Sequence, residues 1–215
     1  MKKNNVLFAF IALFVVLASC KKSDVKNKET VLYEADFSND DSHWWTGTSN
    51  NGASASINNG YYTFKCGSAG GHDVWLSPLF TGVTSNTAVE TSIKLSSTGG
   101  ENYGNGGLLW NEDGQGPSDY ISYYFLISYN GYFTVFGYPD GVNGTTYIDW
   151  TLSSAIQNSQ FNTLRIALVS GTLHFYINNT EVYHMQAIKT TLDRVGLSAL
   201  KSTTMQVDYF KAVRQ

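Results

Sequence analysis

The sequence predicts an all-β fold, an antiparallel sandwich or barrel, on three observations. Beyond residue 30 the chain is a succession of short runs in which apolar and polar residues alternate at period two. Gly, Asn, Ser and Asp interrupt these runs at intervals of roughly eight to twelve residues, the turn spacing of antiparallel sheets. No stretch carries the apolar stripe of an amphipathic helix.

The strand candidates follow in chain order. Glu34-Ala35-Asp36 lies on the first. Asn59-Gly60 is a turn that opens Tyr61-Tyr62-Thr63-Phe64-Lys65-Cys66. Val89, Thr91, Ile93 and Leu95 share one face of the next run, and Glu90, Ser92 and Lys94 the other. In Tyr120 to Ser128, Ile121, Tyr123, Phe125 and Ile127 form the apolar face. Tyr120, Ser122, Tyr124 and Ser128 form the polar one, with Leu126 as the exception. That run enters an Asn130-Gly131 turn and leaves as Tyr132 to Tyr138. Ser153 to Gln157 could make one short helical turn. Leu164, Ile166 and Leu168 pass through a Ser170-Gly171 turn into Leu173, Phe175 and Ile177, a hairpin pattern. Val195-Gly196-Leu197 and Met205 to Val213 complete about a dozen strands.

Composition narrows the function. Net charge is -3 with 14% charged residues, and the basic residues form no block outside the first thirty positions, which argues against nucleic acid as a partner. Of the two cysteines, Cys66 sits within a strand and reads as a small buried hydrophobe. The four histidines are scattered, with no metal-ligand spacing and no Cys/His cluster. There is no Gly-x-Ser-x-Gly elbow and no phosphate-cradling loop.

The first thirty residues are of another kind. Lys2 and Lys3 precede an apolar run from Val6 to Ala18, which is shorter than the roughly 20 residues of a membrane span. Leu17-Ala18-Ser19-Cys20 closes it. This resembles the signal of a bacterial lipoprotein, which implies cleavage before Cys20 and a lipid on its thiol; a plain secretory signal and a single anchoring helix are the alternatives. The expected organisation is a signal at 1–19, lipidated Cys20 with a flexible polar tether over 20–30, and one β-sandwich domain over 31–215. Lys21, Lys22 and Asp24 resemble the charged export signals of surface lipoproteins of the Bacteroidota. Lysine rather than aspartate directly after the cysteine implies the outer membrane, on its periplasmic or its external face.

The remaining segments run in the order "DFSN" at Asp36 to Asn39, Gly60 to Phe64, and "YGNGGLLWNED" at Tyr103 to Asp113. "DYISYYFLIS", "NGYFTVFGY", "FNTLRIALVSGTLHFYINNTEV", "VGLSA" and "VDYFKAV" follow. Together they resemble the concanavalin A-like lectin/glucanase superfamily, in particular laminin G-like and family-16 glycoside hydrolase-like modules. The resemblance implies a jelly roll with one concave and one convex sheet, and sugars, if bound, across the concave one. It also implies acids at alternate positions of a mid-chain strand in catalytic members, and this chain has no such strand. Glu34-Ala35-Asp36 imitates the alternation on the wrong strand, with Asn39 at the third acidic place. Glu112 and Asp113 are adjacent and point apart on a regular strand. Glu112 with Asp119 or Asp140 is the remaining acid set for a loop-borne glycosidase. Asp36 and Asp208 stand where related modules hold a structural calcium, although no cofactor is required.

Aromatic residues make up 14% of the chain and give the stronger lead, because sugar C–H faces stack on such rings. Trp110 and Tyr124, with Trp44, Trp45, Trp75 and Trp150 near polar loops, are the carbohydrate-binding candidates. The expected function is a lipid-anchored envelope module that binds glycan without cleaving it. A glycan-active enzyme and a protein-binding adhesion module are the alternatives.

Overall fold

The structure is a computed structural model and describes residues 29–40, 42–76, 86–100, 104–113, 121–187, 192 and 194–215, with the backbone alone at 111–113. The described residues form fifteen strands and no helix. They are β1 (Thr30–Ala35), β2 (Gly47–Thr48), β3 (Ser54–Asn58), β4 (Tyr61–Lys65), β5 (His72–Trp75), β6 (Thr87–Ser97), β7 (Asn105–Asp113) and β8 (Ile121–Ser128). β9 (Tyr132–Tyr138), β10 (Thr145–Leu152), β11 (Asn162–Val169), β12 (Thr172–Ile177), β13 (Thr180–Gln186), β14 (Val195–Ala199) and β15 (Thr203–Arg214) complete them. Thr30, read from the sequence as the end of the tether, already pairs with Arg214.

The strands form two antiparallel sheets packed as a jelly-roll sandwich. The first runs β13-β12-β11-β6-β15-β4-β3-β2, with β1 added on β15. The second runs β10-β9-β8-β7-β14-β5. β15 binds β6 along its whole length. Its other edge is shared: Thr204 to Val207 pair with β4, and Phe210 to Arg214 pair with β1. The hand-over falls at a bulge, where Val207 opposes Ile93 and Tyr209 opposes Ser92, leaving Asp208 unpaired and exposed.

Alternation decides what each sheet buries. Ile93, Leu164, Ile166, Phe175, Met205, Val207 and Phe210 point inward from the first sheet. Leu108, Trp110, Tyr123, Phe125, Val135 and Leu197 meet them from the second. The seam between the sheets is aromatic: Phe175 lies 5.5 Å from Trp110 and 5.3 Å from Phe125, centroid to centroid. The expected parity of β8 holds, with Tyr123, Phe125 and Ile127 in the core. Cys66 is buried as expected; burial pushes its thiol up to about 11, and Sγ donates to the Ala199 carbonyl.

The turns follow their chemistry. Asn59-Gly60 and Ser170-Gly171 have positive φ at both residues, the type I′ pattern that matches strand twist. Asn178-Asn179 does the same between β12 and β13, a hairpin turn without glycine. Ser153 to Gln157 forms only a turn closed by Ile156 N to Ser153 O.

Glu90 and Ser92, expected on the polar side of β6, are also buried, because β11 and β15 flank that strand. Glu90 accepts from Lys211 Nζ at 2.8 Å, Tyr209 OH at 2.8 Å and Arg165 Nη1 at 3.1 Å. Burial alone would raise its pKa, but these three donors outweigh it and hold the carboxyl below its ordinary range. The sign follows: a lowered acid stabilises the fold above its unfolded pKa and loses that contribution as pH falls. In acid titrations of stability, Glu90→Gln should therefore flatten the fall below about pH 4.5. At neutral pH the same variant should lose about 3 kcal/mol in denaturant unfolding. Phe175→Ala should cost about 3–5 kcal/mol by opening the seam.

Candidate functional site

The site is built on β5, a four-residue edge strand. Alternation turns Val74 into the core, and Asp73 and Trp75 onto the outward face of the second sheet. β14 is the neighbour of β5, with Ser198 opposite Asp73 and Gly196 opposite Trp75. A side chain at Gly196 is impossible, because its Cβ would lie 2.2 Å from the Val74 carbonyl oxygen.

Tyr124 projects from β8, three strands away, yet its hydroxyl donates to Asp73 Oδ2 at 2.8 Å. Three strand spacings are about 14 Å on a flat sheet. The bond therefore requires this face to curl inward, so that side chains from distant strands converge. Leu109 and Leu126 point outward by alternation, yet both are fully buried beneath the curled surface. Ser122 Oγ donates to the same phenol at 3.0 Å. Phe136 stacks on Tyr124 with centroids 4.7 Å apart and planes at 13°, and Tyr138 meets both rings edge-on.

Two adjoining cavities open on this constellation. One of about 300 Å³ is lined by Gly71, Tyr124, Phe136, Tyr138, Ser198 and Leu200, together with His72 and Asp73. A second of about 530 Å³ lies over the sheet edge, between Trp45, Thr48, Ser49 and Asn50 on one side and Val74 and Trp75 on the other. His72 and Asp73 line both, so the two form one groove around β5. Asn51 Nδ2 donates to His72 Nδ1 at 3.3 Å, and Trp45 lies 5.7 Å from that imidazole. Arg194 places its guanidinium carbon 5.9 Å from the Trp75 ring centroid.

Asp73 carries the chemistry of the groove. Burial raises its pKa, opposed by the hydroxyls of Ser198 and Tyr124 and by His72. The Ser198 hydroxyl is itself buried and completes no hydrogen bond of good geometry. The groove thus offers a strong acceptor and flat rings.

The sequence-derived candidates divide accordingly. Trp45, Trp75 and Tyr124 line the groove. Trp110 and Trp44 do not: both belong to the core, at 1% and 3% exposure. Trp110 is stacked on Tyr123, and Trp44 packs among Phe37, Tyr62 and Phe210 while donating to Tyr33 OH. Their faces are filled by protein, which corrects their reading as ligand-stacking rings. Trp150 is exposed, but on β10, the opposite edge of the sheet. Asp140 braces a turn, accepting from Val142 N, Asn143 N and Asn143 Nδ2. The Asn143 side chain and those amides hold it down to about 2, which makes it no proton donor at neutral pH. Asp119 and the side chain of Glu112 lie outside the described residues, as does Cys20.

Glu34 and Asp36 are exposed, and Glu34 sits on the first sheet opposite Lys211. Asp36 accepts from the backbone N–H and hydroxyl of Ser38, which lower its pKa. Asp208 occupies the β15 bulge. Among the described residues no group of three or more His, Cys, Asp or Glu is arranged to hold a metal ion. Asp73, Phe136, Tyr138 and Ser198 went unread in the sequence. The alternation Asp73-Val74-Trp75 was visible there, but nothing local announces that Tyr124 reaches it.

No family model and no curated protein matches the chain. Solved structures do. A mutant form of the Emp46p carbohydrate recognition domain has a TM-score of 0.65 at 16% identity, covering 86% of this chain and 97% of that one. A β-glucanase of Bacillus licheniformis gives 0.59 at 9% identity, covering 85% and 97%. The carbohydrate binding module CBM66 of Bacillus subtilis gives 0.52 at 14% identity, covering 78% and 94%. At such identities the likeness is one of fold: concanavalin A-like jelly rolls.

The Asp73 linkage is testable. A raised acid takes up its proton earlier in the folded state, so stability rises as pH falls from the folded pKa toward 3.8. Removing the phenol donor in Tyr124→Phe should raise the Asp73 pKa further, read by carboxyl NMR titration; an unchanged or lower value contradicts the bond.

Proposed function

We propose that this chain is a cell-envelope carbohydrate-binding module that holds glycan in the β5 groove without cleaving it. The observation that carries this reading is the groove itself: half-buried Trp45 and Trp75 and exposed Tyr138 beside the Asp73 carboxylate at the β5 edge of the second sheet. Ring faces suit sugar C–H patches, and a carboxylate accepts from two hydroxyls at once. Glycosidic cleavage by acid pairs needs two carboxyls across the bond. Asp73 is the one carboxylate among the described residues lining either cavity. The solved neighbours include both carbohydrate-binding domains and a glucanase, so the fold admits either use.

The lipoprotein-like start supports a lipid on Cys20 and residence at the outer membrane, with residues 31–215 as the exported sandwich. Glu29 donates geometry to this picture. Its Oε1 accepts from Arg165 Nη2 at 2.6 Å on the outward face of the first sheet. The chain therefore meets the sandwich on the face opposite the groove. Eight residues lie between Cys20 and Glu29, nine chain steps with a reach of about 30 Å at most. An anchored molecule would hold its groove away from the lipid.

On a glycan array followed by calorimetry, the protein should retain oligosaccharide and release no product. Trp75→Ala and Trp45→Ala should each weaken binding about tenfold, whereas Trp150→Ala should not. Released oligosaccharide that disappears in Glu112→Gln would establish the enzyme instead. Cys20→Ser should move the protein from the membrane to the soluble fraction; membrane retention of that variant would sink the lipid anchor.

A further inference from the structure

Among the described residues, the cations held in strands are confined to the first sheet, which also carries Glu34, Glu90, Glu181 and Asp208. Every lysine and arginine that lies in a strand belongs to the first sheet: Lys65, Lys94, Arg165, Lys211 and Arg214. The strands of the second sheet contain none, and they carry Asp73, Glu112, Asp113 and Asp149. The bias extends through the connections. From residue 100 to residue 152 the sequence has six acids (Glu101, Glu112, Asp113, Asp119, Asp140 and Asp149) and no lysine or arginine. The groove opens on this cation-free sheet, and the charge at its centre is the Asp73 carboxylate.

Resting on the carbohydrate reading of the groove, we infer that it selects neutral, hydroxyl-bearing glycans and rejects those carrying carboxylates or sulfates. An anionic sugar entering here would set its charge against Asp73 with no lysine or arginine among the described lining residues. Like charges brought together out of water cost binding free energy, and the curled, part-dry wall strengthens that repulsion. Neutral sugars meet the opposite situation, because Asp73 Oδ atoms accept from hydroxyls. Among the described cations, Arg194 lies beside Trp75 and Lys201 follows the lining residue Leu200; neither lines a cavity. The groups facing Asp73 are His72 from its own strand, Tyr124 from β8, Ser198 from β14 and the Cys66 thiol after β4. Burial makes Asp73 a weaker acid than usual, so its repulsion fades as pH is lowered through its raised pKa.

The test compares matched oligosaccharides on the full chain: mannose oligomers against mannuronate oligomers, and galactose oligomers against galacturonate oligomers, alongside a general glycan array. Expected is binding of neutral glycans at least about tenfold tighter than of their acidic counterparts. The gap should narrow in Asp73→Asn, with thermal melting confirming that the variant folds. Acidic glycans bound as tightly as neutral ones, or a ratio that Asp73→Asn leaves unmoved, overturns the selectivity while leaving glycan binding intact. Acidic binding abolished by Arg194→Ala overturns it as well and locates the responsible cation. Retention of no glycan of either kind overturns the carbohydrate reading itself, and the selectivity with it.

Discussion

The two-sided pairing of β15 is the constraint on which the rest of the molecule depends. One strand supplies a full edge to β6 and divides its other edge between β4 and β1. Two early strands can share one edge only if the ladder is interrupted between them, and the bulge at Asp208 provides the break. The pairing also fixes phase. Side chains alternate on each side of the bulge, which shifts the phase by one residue, so Met205 and Val207 before it and Phe210 after it face inward while Lys211 faces out to Glu90. The aromatic seam to the second sheet is a consequence of that phase, and so is the outward setting of the ion cluster. The exposure of Asp208 follows from this topology.

Among the described residues, buried Glu90 and half-buried Asp73 are treated in opposite ways. Glu90 is met by three donors, two of them cationic, and is held ionised. Asp73 has no cation bonded to it and shifts upward instead. The difference is architectural. Glu90 lies on the middle of a sheet whose neighbouring strands bring Arg165 and Lys211 into reach, whereas Asp73 lies on an edge in a sheet whose strands lack such residues. A compensated carboxylate rigidifies a surface; an under-compensated one remains an acceptor with capacity to spare.

Much of the fold was legible because its signals are local. Alternation assigned the faces of β8, and the Asn-Gly and Ser-Gly pairs marked their turns. The site was legible only in part, since what assembles it is distant in sequence. Tyr124 was flagged by parity, and Trp45 and Trp75 by residue type, but Asp73 sits 51 residues before Tyr124 and the curl that joins them leaves no local trace. Trp44 and Trp110 show the converse error. A tryptophan beside polar residues reads as a surface ring, yet Trp110 alternates inward with Leu108 to meet Phe175, and its polar neighbours only mark the strand's end.

The curl also explains why binding aromatics and a buried acid coexist here. On a flat sheet, Asp73 and Tyr124 would stand apart, each solvated, and the carboxyl would titrate as an ordinary surface acid. Bending brings the phenol to Asp73 and takes both partly out of water. It also aligns Phe136 and Tyr138 with them as a continuous wall. Glycines stand where strands of this sheet come close: a Cβ at Gly196 would strike the β5 backbone and one at Gly137 would strike the Tyr123 ring, at 2.2 Å and 2.3 Å. Close strand approach, curvature and the unusual environment of Asp73 therefore occur together in this sheet.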